Sequence, residues 1–552
     1  MGIKMPPAVC PVTPLAPVHT NSGWLVILGP PGTGKTRRLL EHAVRELESG
    51  ARAERIAIVT FTRAARGEIL DRLGRVFALV PDALPWVRTV HAACFRLLGL
   101  RRGSVMTGKA WKAFGEKHGY DFSETRETTE DAPCEPPRQT ADDLLRFALN
   151  WGRNRRLGID SIVARAPVLV SGEALRHYVR RLEEFKRAEK LLDFPDLLER
   201  VITQGLRPDV DIGFIDEAQD LSPLQIAVVE TWFGPCSRVY VAGDDDQALY
   251  GFQGAEPDWL LSLAREHPVE ILEQSYRVPR VVHRIAERVI RQNRRRVPKS
   301  YRPASTEGEA LSVEAEDATD VIDERTDTLV LARNRMFLAP IARSLFDRRV
   351  PYIVEGAGGM NPYGMAGAFE AVSAAQTLAR GEAIPAAALC ALLAFVPSRG
   401  VDLLPHGAKA KAGALEGVVA THVLRERLGL DAVLDRIAAE GPTSVLLKMR
   451  PPDREYFAAL LRRHGEVPTP KVRLTSIHGA KGREADHVVV LPDMTRATFR
   501  EYEDYSCGGN EAENRVAYVA VTRARERLVL VRPRTRRAYA YPTPERAEAV
   551  LA

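Results

Sequence analysis

The eight residues Gly29-Pro30-Pro31-Gly32-Thr33-Gly34-Lys35-Thr36 constrain this chain more than any other stretch. They follow a short apolar run, Trp24 to Leu28, and precede an amphipathic run, Leu39 to Leu47. That is strand, glycine-rich loop and helix, with the spacing G-x-x-x-x-G-K-[ST] between them. Glycine lets the backbone turn tightly and aim successive N–H groups at a phosphate. A helix beginning near Lys35 adds the positive end of its dipole. Lys35 reaches the β- and γ-phosphates as a point charge, and the Thr36 hydroxyl suits Mg²⁺. The loop specifies a nucleotide without specifying its use.

A chain of 552 residues is expected to hold roughly three to four domains. With 45% hydrophobic and 27% charged residues it can bury large cores. The net charge of +6 is compatible with a nucleic-acid partner and equally with a plain enzyme. Cys10, Cys94, Cys134, Cys236, Cys390 and Cys507 are scattered without a C-x-x-C pair. That spacing argues against a zinc site, an iron–sulfur cluster or a disulfide framework, and favours a reducing cytoplasm. Residues 1–22 read as a flexible tail, and no apolar run is long enough to span a bilayer.

A second strand, Arg55 to Thr60, leads into Phe61-Thr62-Arg63 and a helix from Ala64 to Leu73. Strand, loop and helix repeat, so the region reads as α/β with a parallel sheet, where ligands gather at strand carboxyl ends. Phe61 sits at such an end, where core packing and ligand contact both remain open. Residues 101–200 look helical, interrupted by a polar, proline-bearing loop from Ser123 to Gln139. The strand Asp211 to Ile215 then ends in Asp216-Glu217-Ala218-Gln219-Asp220. Asp216 is placed to hold the Mg²⁺ shell and Glu217 to orient or deprotonate a water, the second half of a phosphoryl-transfer site. Arg238 to Ala242 runs into Gly243-Asp244-Asp245-Asp246-Gln247, whose amide suits a γ-phosphate. Tyr250 and Phe252 follow in a glycine-rich loop; they offer either faces for base stacking or interdomain packing.

Val269 to Leu272 leads to Gln274-Ser275-Tyr276-Arg277. A second α/β pattern follows, with strands at Thr328 to Ala332 and Pro351 to Val354. Residues 359–470 are alanine-rich and helical-looking. The α/β pattern returns at Val472 to Glu484, followed by the strand His487 to Leu491 and a polar loop from Arg496 to Asn510. A helix Glu511–Arg525 and a last strand, Leu528 to Val531, close the order.

Taken in order, these motifs resemble those of the UvrD/Rep-like superfamily 1A helicases. Gly29 to Thr36 resembles motif I, Val59 to Arg63 motif Ia, Thr89-Val90-His91 motif Ib and Asp216 to Asp220 motif II. Gly243 to Ala255 is similar to motif III, Gln274 to Arg277 to motif IV, His478 to Glu484 to motif V and Tyr518 to Ala524 to motif VI. The resemblance implies two RecA-like P-loop motor domains with parallel sheets, each carrying a mainly helical insertion. Motor domain 1A would comprise residues 23–100 and 201–280, with insertion 1B at 101–200. Domain 2A would comprise 281–358 and 471–552, with a short insertion 2B at 359–470 and no appended nuclease.

The resemblance also assigns roles. Lys35, Asp216, Glu217, Gln247, Arg277 and Arg523 would be catalytic, the two arginines and Gln247 contacting the γ-phosphate. Gly29, Pro30, Pro31, Gly32, Thr33, Gly34, Lys35 and Thr36 would cradle ATP. Tyr276 would stack on adenine, with Arg37 near the base and Glu484 beside the nucleotide. Thr36 and Asp216 would hold Mg²⁺. Phe61, Arg63, His91, Tyr250, Phe252, His478 and Lys481 would line the path of single-stranded DNA.

The implied activity is an ATP-dependent helicase moving 3′ to 5′ on single-stranded DNA, acting at single-strand/duplex junctions in repair, replication or recombination. It would be cytoplasmic, free of membrane, monomeric when translocating, and open to accessory proteins. A translocase that displaces proteins with little unwinding, a nucleotide-gated DNA-binding protein and a small-molecule kinase are the rivals. The intact catalytic set argues against the second, and motifs III to VI against the third. Several positions depart from the family pattern. No glutamine occurs upstream of the loop to read adenine, Phe252 stands where tryptophan is frequent, Arg63 replaces asparagine and Gly479 replaces serine.

Overall fold

The computed structural model describes residues 23–60, 67, 69–70, 73–74, 84–122, 140–253, 255, 257–355, 367–505 and 508–542. The tail 1–22, Phe61, Arg63, the 123–139 segment and the Gly358-Gly359 break lie outside the described residues.

The first sheet contains β1 (Trp24–Leu28), β2 (Ile56–Thr60), β3 (Val87–Thr89), β4 (Ile212–Ile215), β5 (Arg238–Gly243) and β6 (Val269–Ile271). They lie in the order β3-β2-β4-β5-β1-β6 and all pair in parallel. The apolar runs follow from that arrangement, because a strand covered on both faces alternates between two cores. Leu25 and Ile27 of β1 pack with Leu39, Leu40 and Ala43 of the Lys35–Glu48 helix. Val26 and Leu28 face the other way, toward Leu224, Val228 and Val229 of the Pro223–Phe233 helix. The carboxyl ends of β1, β4 and β5 share one edge, which brings Gly29, Asp216 and Asp244 together.

The second sheet contains β7 (Glu309–Val313), β8 (Thr328–Ala332) and β9 (Tyr352–Val354). After the short pair β10 (Ile384–Pro385) and β11 (Val418–Val419) it adds β12 (Val472–Ser476), β13 (Ala485–Leu491) and β14 (Ala524–Val531). The order is β7-β14-β13-β8-β12-β9, again all parallel. The fold class is thus α/β with two parallel sheets, as the motif order implies. One strand, β7, goes unread in the sequence, and two expectations need correction. β7 is an edge strand, half-exposed, so its apolar signal is too weak to read. The polar stretch after Thr495 contains a helix, Arg496–Tyr502, because the Thr495 hydroxyl accepts from the Thr498 N–H and caps it. The helix expected to reach Arg525 spans Gly509–Val521; the chain turns at Thr522-Arg523 and β14 starts at Ala524.

The two helical regions are built differently. Helices Gly108–His118, Ala141–Asn154, Ile159–Arg165 and Gly172–Glu189 enclose a separate core of Trp111, Phe114, Leu149, Tyr178, Leu182 and Phe185. The next helix, Phe194–Thr203, crosses the expected boundary at residue 200 and packs Leu197, Leu198 and Val201 into the first sheet's core. Its start is fixed by a reciprocal cap between Asp193 and Asp196, and Arg153 and Lys186 both reach that pair. The second region, Ala368 to His464, has no such boundary. Its Leu389, Leu393, Ile437 and Leu460 belong to one core with Val330, Leu474, Val489 and Val531 of the second sheet. Among the described residues, no helix is long and apolar enough to cross a membrane.

Candidate functional site

The glycine-rich loop wraps around its own side chains. Lys35 Nζ donates to the Gly29 carbonyl at 2.8 Å and the Thr33 hydroxyl to the Pro30 carbonyl at 2.8 Å. The following helix begins at Lys35 behind Gly34, which is left-handed at φ +84 and supplies no side-chain cap. The first-turn N–H groups are therefore left for an anion. Gly32, at φ +73, is required twice over: a Cβ there would collide with Arg277 Cβ and lie 2.8 Å from Ser275 Oγ.

At the tip of β4, Asp216 Oδ2 accepts from the Thr36 hydroxyl at 2.8 Å, and its Oδ1 accepts from the Glu217 N–H at 3.0 Å. Glu217 is held in the left-handed region at φ +53, a conformation costly for a non-glycine residue and frequent at functional sites. Burial, then the Glu217 charge, pushes the Asp216 carboxyl up to about 7. Burial pushes Glu217 the same way, but Lys35 and Lys481 outweigh it and hold this carboxylate below its usual range. Among the described residues no group of three or more His, Cys, Asp or Glu side chains is placed to hold a metal. A hydroxyl and one carboxylate, beside a phosphate cradle, fit Mg²⁺, which takes most of its ligands from phosphate and water.

The segment after β6 is fastened to the loop. The Tyr276 N–H donates to the Gly32 carbonyl at 2.9 Å and the Ser275 hydroxyl to the Pro31 carbonyl at 2.7 Å. Ser275 Oγ also accepts from the Arg277 and Val278 N–H groups. Val278 already belongs to the second sheet's core. Tyr276 is 77% exposed, its ring open to stacking, and Arg37, which follows Thr36 in the chain, is exposed and paired with Glu41. Arg277 is ion-paired with Glu484, which also contacts Arg525.

Arg523 is 1% exposed. It donates to Gln247 Oε1 at 3.1 Å, the Val519 carbonyl at 3.0 Å and the Arg483 carbonyl at 3.2 Å. Burial, then the neighbouring Arg277, lowers its pKa to about 9. Two guanidinium groups gathered around the end of the cradle would be relieved by an anion.

The sequence-expected DNA contacts separate into three groups. Phe61, Arg63 and the Phe252 side chain lie outside the described residues. Tyr250 opens a short turn, Tyr250–Gln253, half-buried; His91 lies edge-on to Phe194, centroids 5.4 Å apart. His478 and Lys481 depart from expectation. His478 is buried, and burial, then Arg333 and Lys481, keeps it neutral. The Lys481 side chain is 8% exposed and donates to Asp220 Oδ1 at 2.6 Å and the Gln247 carbonyl at 2.8 Å, with its ammonium 5.2 Å from the centre of the Tyr250 ring. A desolvated ammonium needs a carboxylate, and Asp220 supplies it. His478 is thus interior, and the Lys481 ammonium is committed to Asp220 and the Gln247 carbonyl.

The sequence reading gave no role to Ser275, Gln219 or Asp220. Gln219 accepts the Asp244 N–H on its oxygen at 2.9 Å and donates its amide to Glu217, joining two strand ends. The signal was present: polar residues inside the motifs at strand tips, with no solvent to satisfy them.

Residues 13–268 match the UvrD/REP helicase N-terminal domain, and residues 458–534 match the UvrD-like helicase C-terminal domain. The chain is similar to the ATP-dependent DNA helicase UvrD2 of Mycobacterium tuberculosis, 26% identical over 559 residues, covering 92% of this chain and 76% of that one. It is also similar to the ATP-dependent DNA helicase PcrA of Leuconostoc citreum, 26% identical over 372 residues, covering 61% of this chain and 49% of the relative. The putative ATP-dependent DNA helicase YjcD of Bacillus subtilis is 24% identical over 332 residues, 56% of this chain and 43% of the relative.

Proposed function

This chain belongs to the UvrD/REP-like helicase family, and from that premise we propose that it is an ATP- and Mg²⁺-dependent motor that moves 3′ to 5′ along single-stranded DNA and unwinds duplex. One observation carries the reading. Lys35, Thr36, Asp216 and Glu217 at the first sheet's edge converge with Gln247, Arg277 and Arg523 at a single seam, and Arg523 comes from the second sheet's side.

Thr36 and Asp216 would hold Mg²⁺, which neutralises phosphate charge and orients the triphosphate. Lys35 exchanges the Gly29 carbonyl for a phosphate oxygen. Glu217 orients the attacking water and accepts its proton. Arg277 leaves Glu484, and Arg523 leaves Gln247, to meet the charge that develops on the γ-phosphoryl group. The adenine stacks on Tyr276, with Arg37 at its edge. Because Arg523 is anchored to Val519 and Arg483, its movement pulls the second sheet, so nucleotide state sets the width of the seam.

Tyr250 touches both functions, since Lys481 sits over its ring and binds Asp220 of the hydrolytic loop. Bases stacked on Tyr250 and Phe252, with Phe61, Arg63 and His91 along the path, are thereby coupled to the cleft. Backbone grip is electrostatic and weakens with salt. In the cell this activity serves repair, replication or recombination of cytoplasmic DNA, with the motor acting as a monomer.

A translocase with little unwinding is the second reading. The continuous core joining Ala368 to His464 with the second sheet favours it, because a fused region is poorly suited to swing against duplex. ATP hydrolysis measured with and without single-stranded DNA, beside unwinding of 3′- and 5′-tailed duplexes, tests both. The motor predicts DNA-stimulated hydrolysis and unwinding from a 3′ tail. No stimulation sinks the motor, stimulation without unwinding selects the translocase, and preference for a 5′ tail reverses the polarity.

A further inference from the structure

Three consecutive carboxylates, Asp244, Asp245 and Asp246, are fully buried beside Gln247. Such a run needs compensating charge, and the chain provides it from residues 296–299. Lys299 is itself buried, 1% exposed. Its ammonium lies 3.2 Å from Asp244 Oδ1 and 3.1 Å from Asp246 Oδ2, and it is ion-paired with Asp245. Arg296 takes Asp246 with two bonds of 2.8 and 2.6 Å, and the Val297 N–H donates to Asp245 Oδ2 at 2.9 Å. From the Gly509–Val521 helix, Arg515 donates to the Asp245 carbonyl at 3.1 Å and the Arg295 carbonyl at 2.7 Å.

The link to the reacting end runs through Asp244. Its Oδ2 accepts from Gln247 Nε2 at 2.6 Å, while Gln247 Oε1 accepts from Arg523 Nη2 at 3.1 Å. An ionised carboxylate only accepts and a guanidinium only donates, so these two partners leave the Gln247 amide one orientation. That orientation needs the Asp244 carboxylate held in place, and Lys299 contacts its other oxygen, Oδ1, at 3.2 Å. We propose that Lys299 is a positioning residue for Gln247: by holding Asp244 Oδ1 it fixes the carboxylate whose Oδ2 takes the Gln247 amide N–H, which turns the Gln247 oxygen toward Arg523 and keeps the sensor set for the γ-phosphate. The inference rests on the reading of Gln247 as that sensor.

DNA-stimulated ATP hydrolysis of the full chain tests it. Lys299→Met should lower kcat about tenfold while leaving the KM for ATP within about twofold, because the cradle itself is untouched. In a Gln247→Ala background the same change should alter kcat by less than about twofold, since the residue it positions is gone. Equal losses in both backgrounds, or a wild-type kcat in Lys299→Met, overturn the proposal. Should Lys299→Met fail to fold, the charge-matched Lys299→Met/Asp245→Asn chain keeps the net charge of the cluster and still removes the ammonium from Asp244. Its kcat should fall as far as expected for the single change, and a wild-type kcat there overturns the proposal. If Gln247→Ala alone leaves stimulated hydrolysis intact, the sensor reading fails and takes this inference with it. If Gln247→Ala is impaired and Lys299→Met is not, the inference alone fails.

Discussion

The two banks of the nucleotide seam are made of different material. The first bank is backbone and strand tips: a left-handed glycine ahead of an uncapped helix, with Thr36 and Asp216 hydrogen-bonded at 2.8 Å. The second is side-chain cations, each held by a partner that phosphate or motion can replace: Arg277 on Glu484, Arg523 on Gln247, Lys481 on Asp220. Backbone groups fixed by chain geometry cannot move to a new position. Cations on long side chains can, because a desolvated ion pair such as Lys481–Asp220 is close to break-even against its desolvation cost, and a neutral amide such as Gln247 is a weaker partner for a guanidinium than an anion is. A fixed bank facing an exchangeable one is what a cleft that opens and closes requires.

The largest expected effect breaks the comparison if it is wrong. Lys35→Ala and Arg523→Ala should each cut DNA-stimulated kcat by about 10³-fold or more, as removal of a phosphate-directed cation does. They should differ in what survives. Arg523→Ala retains the cradle, so binding of a fluorescent ATP analogue stays within about threefold, whereas Lys35→Ala weakens it. Arg523→Lys should fail nearly as badly as Arg523→Ala, because one ammonium cannot span Gln247, Val519 and Arg483. Equal binding losses in both alanine variants would show that the banks are not separable.

A smaller effect concerns Lys481 and Asp220, an ion pair spanning 261 positions of sequence. Lys481→Met leaves Asp220 buried and unpaired, and stability should drop by about 3 kcal/mol with loss of DNA stimulation. The double change Lys481→Met/Asp220→Asn removes both charges and should recover most of the stability, read by thermal unfolding. Stimulation should stay low in the double variant, because the tie between Tyr250 and the hydrolytic loop is gone. Recovery of stimulation together with stability would reduce the pair to a structural role.

The same contrast decides what was legible in the sequence. The first bank is readable because a phosphate cradle needs glycines, a lysine and a hydroxyl within eight positions, and an apolar strand of four or five residues announces each carboxylate. The second bank joins residues 261 and 276 positions apart, as in Lys481–Asp220 and Arg523–Gln247. Periodicity carries no information about such pairs. Lys481 and His478 therefore look like surface contacts in sequence and are interior in the fold. Helix Gly509–Val521 shows the same limit: Glu513, Asn514 and Arg515 are all buried, satisfied by Arg333, Asn293 and the Asp245 carbonyl. Polar residues on a helix ordinarily read as a solvated face, and only the distant partners reveal this one as buried. The fastening of Ser275 to the Pro31 carbonyl was hidden for that reason too, 244 positions away.

The smallest expected effect lies on the first bank and tests whether Asp216 is the carboxylate that takes the cation. The Asp216 carboxyl stands at about 7 and would titrate near 3.8 in an unfolded chain. Between those values the folded chain binds the extra proton, so this group makes folding less favourable as pH rises from about 4 to about 7. Asp220, also near 7 through burial and opposed by Lys481, acts in the same direction. Mg²⁺ requires the ionised carboxylate and therefore competes with the proton. Its affinity in the presence of a non-hydrolysable ATP analogue should fall about tenfold from pH 8 to pH 6, one unit below the Asp216 value. The thermal shift produced by Mg²⁺ and analogue should accordingly be larger at pH 8 than at pH 6. Asp216→Asn has no proton to lose, so its Mg²⁺ affinity should be weak and flat with pH. Asp220→Asn should retain the slope, because its carboxylate faces Lys481 and not the Thr36 hydroxyl. A slope that disappears in Asp220→Asn but persists in Asp216→Asn would move the cation site off the first bank and dissolve the distinction between a fixed side and an exchangeable one.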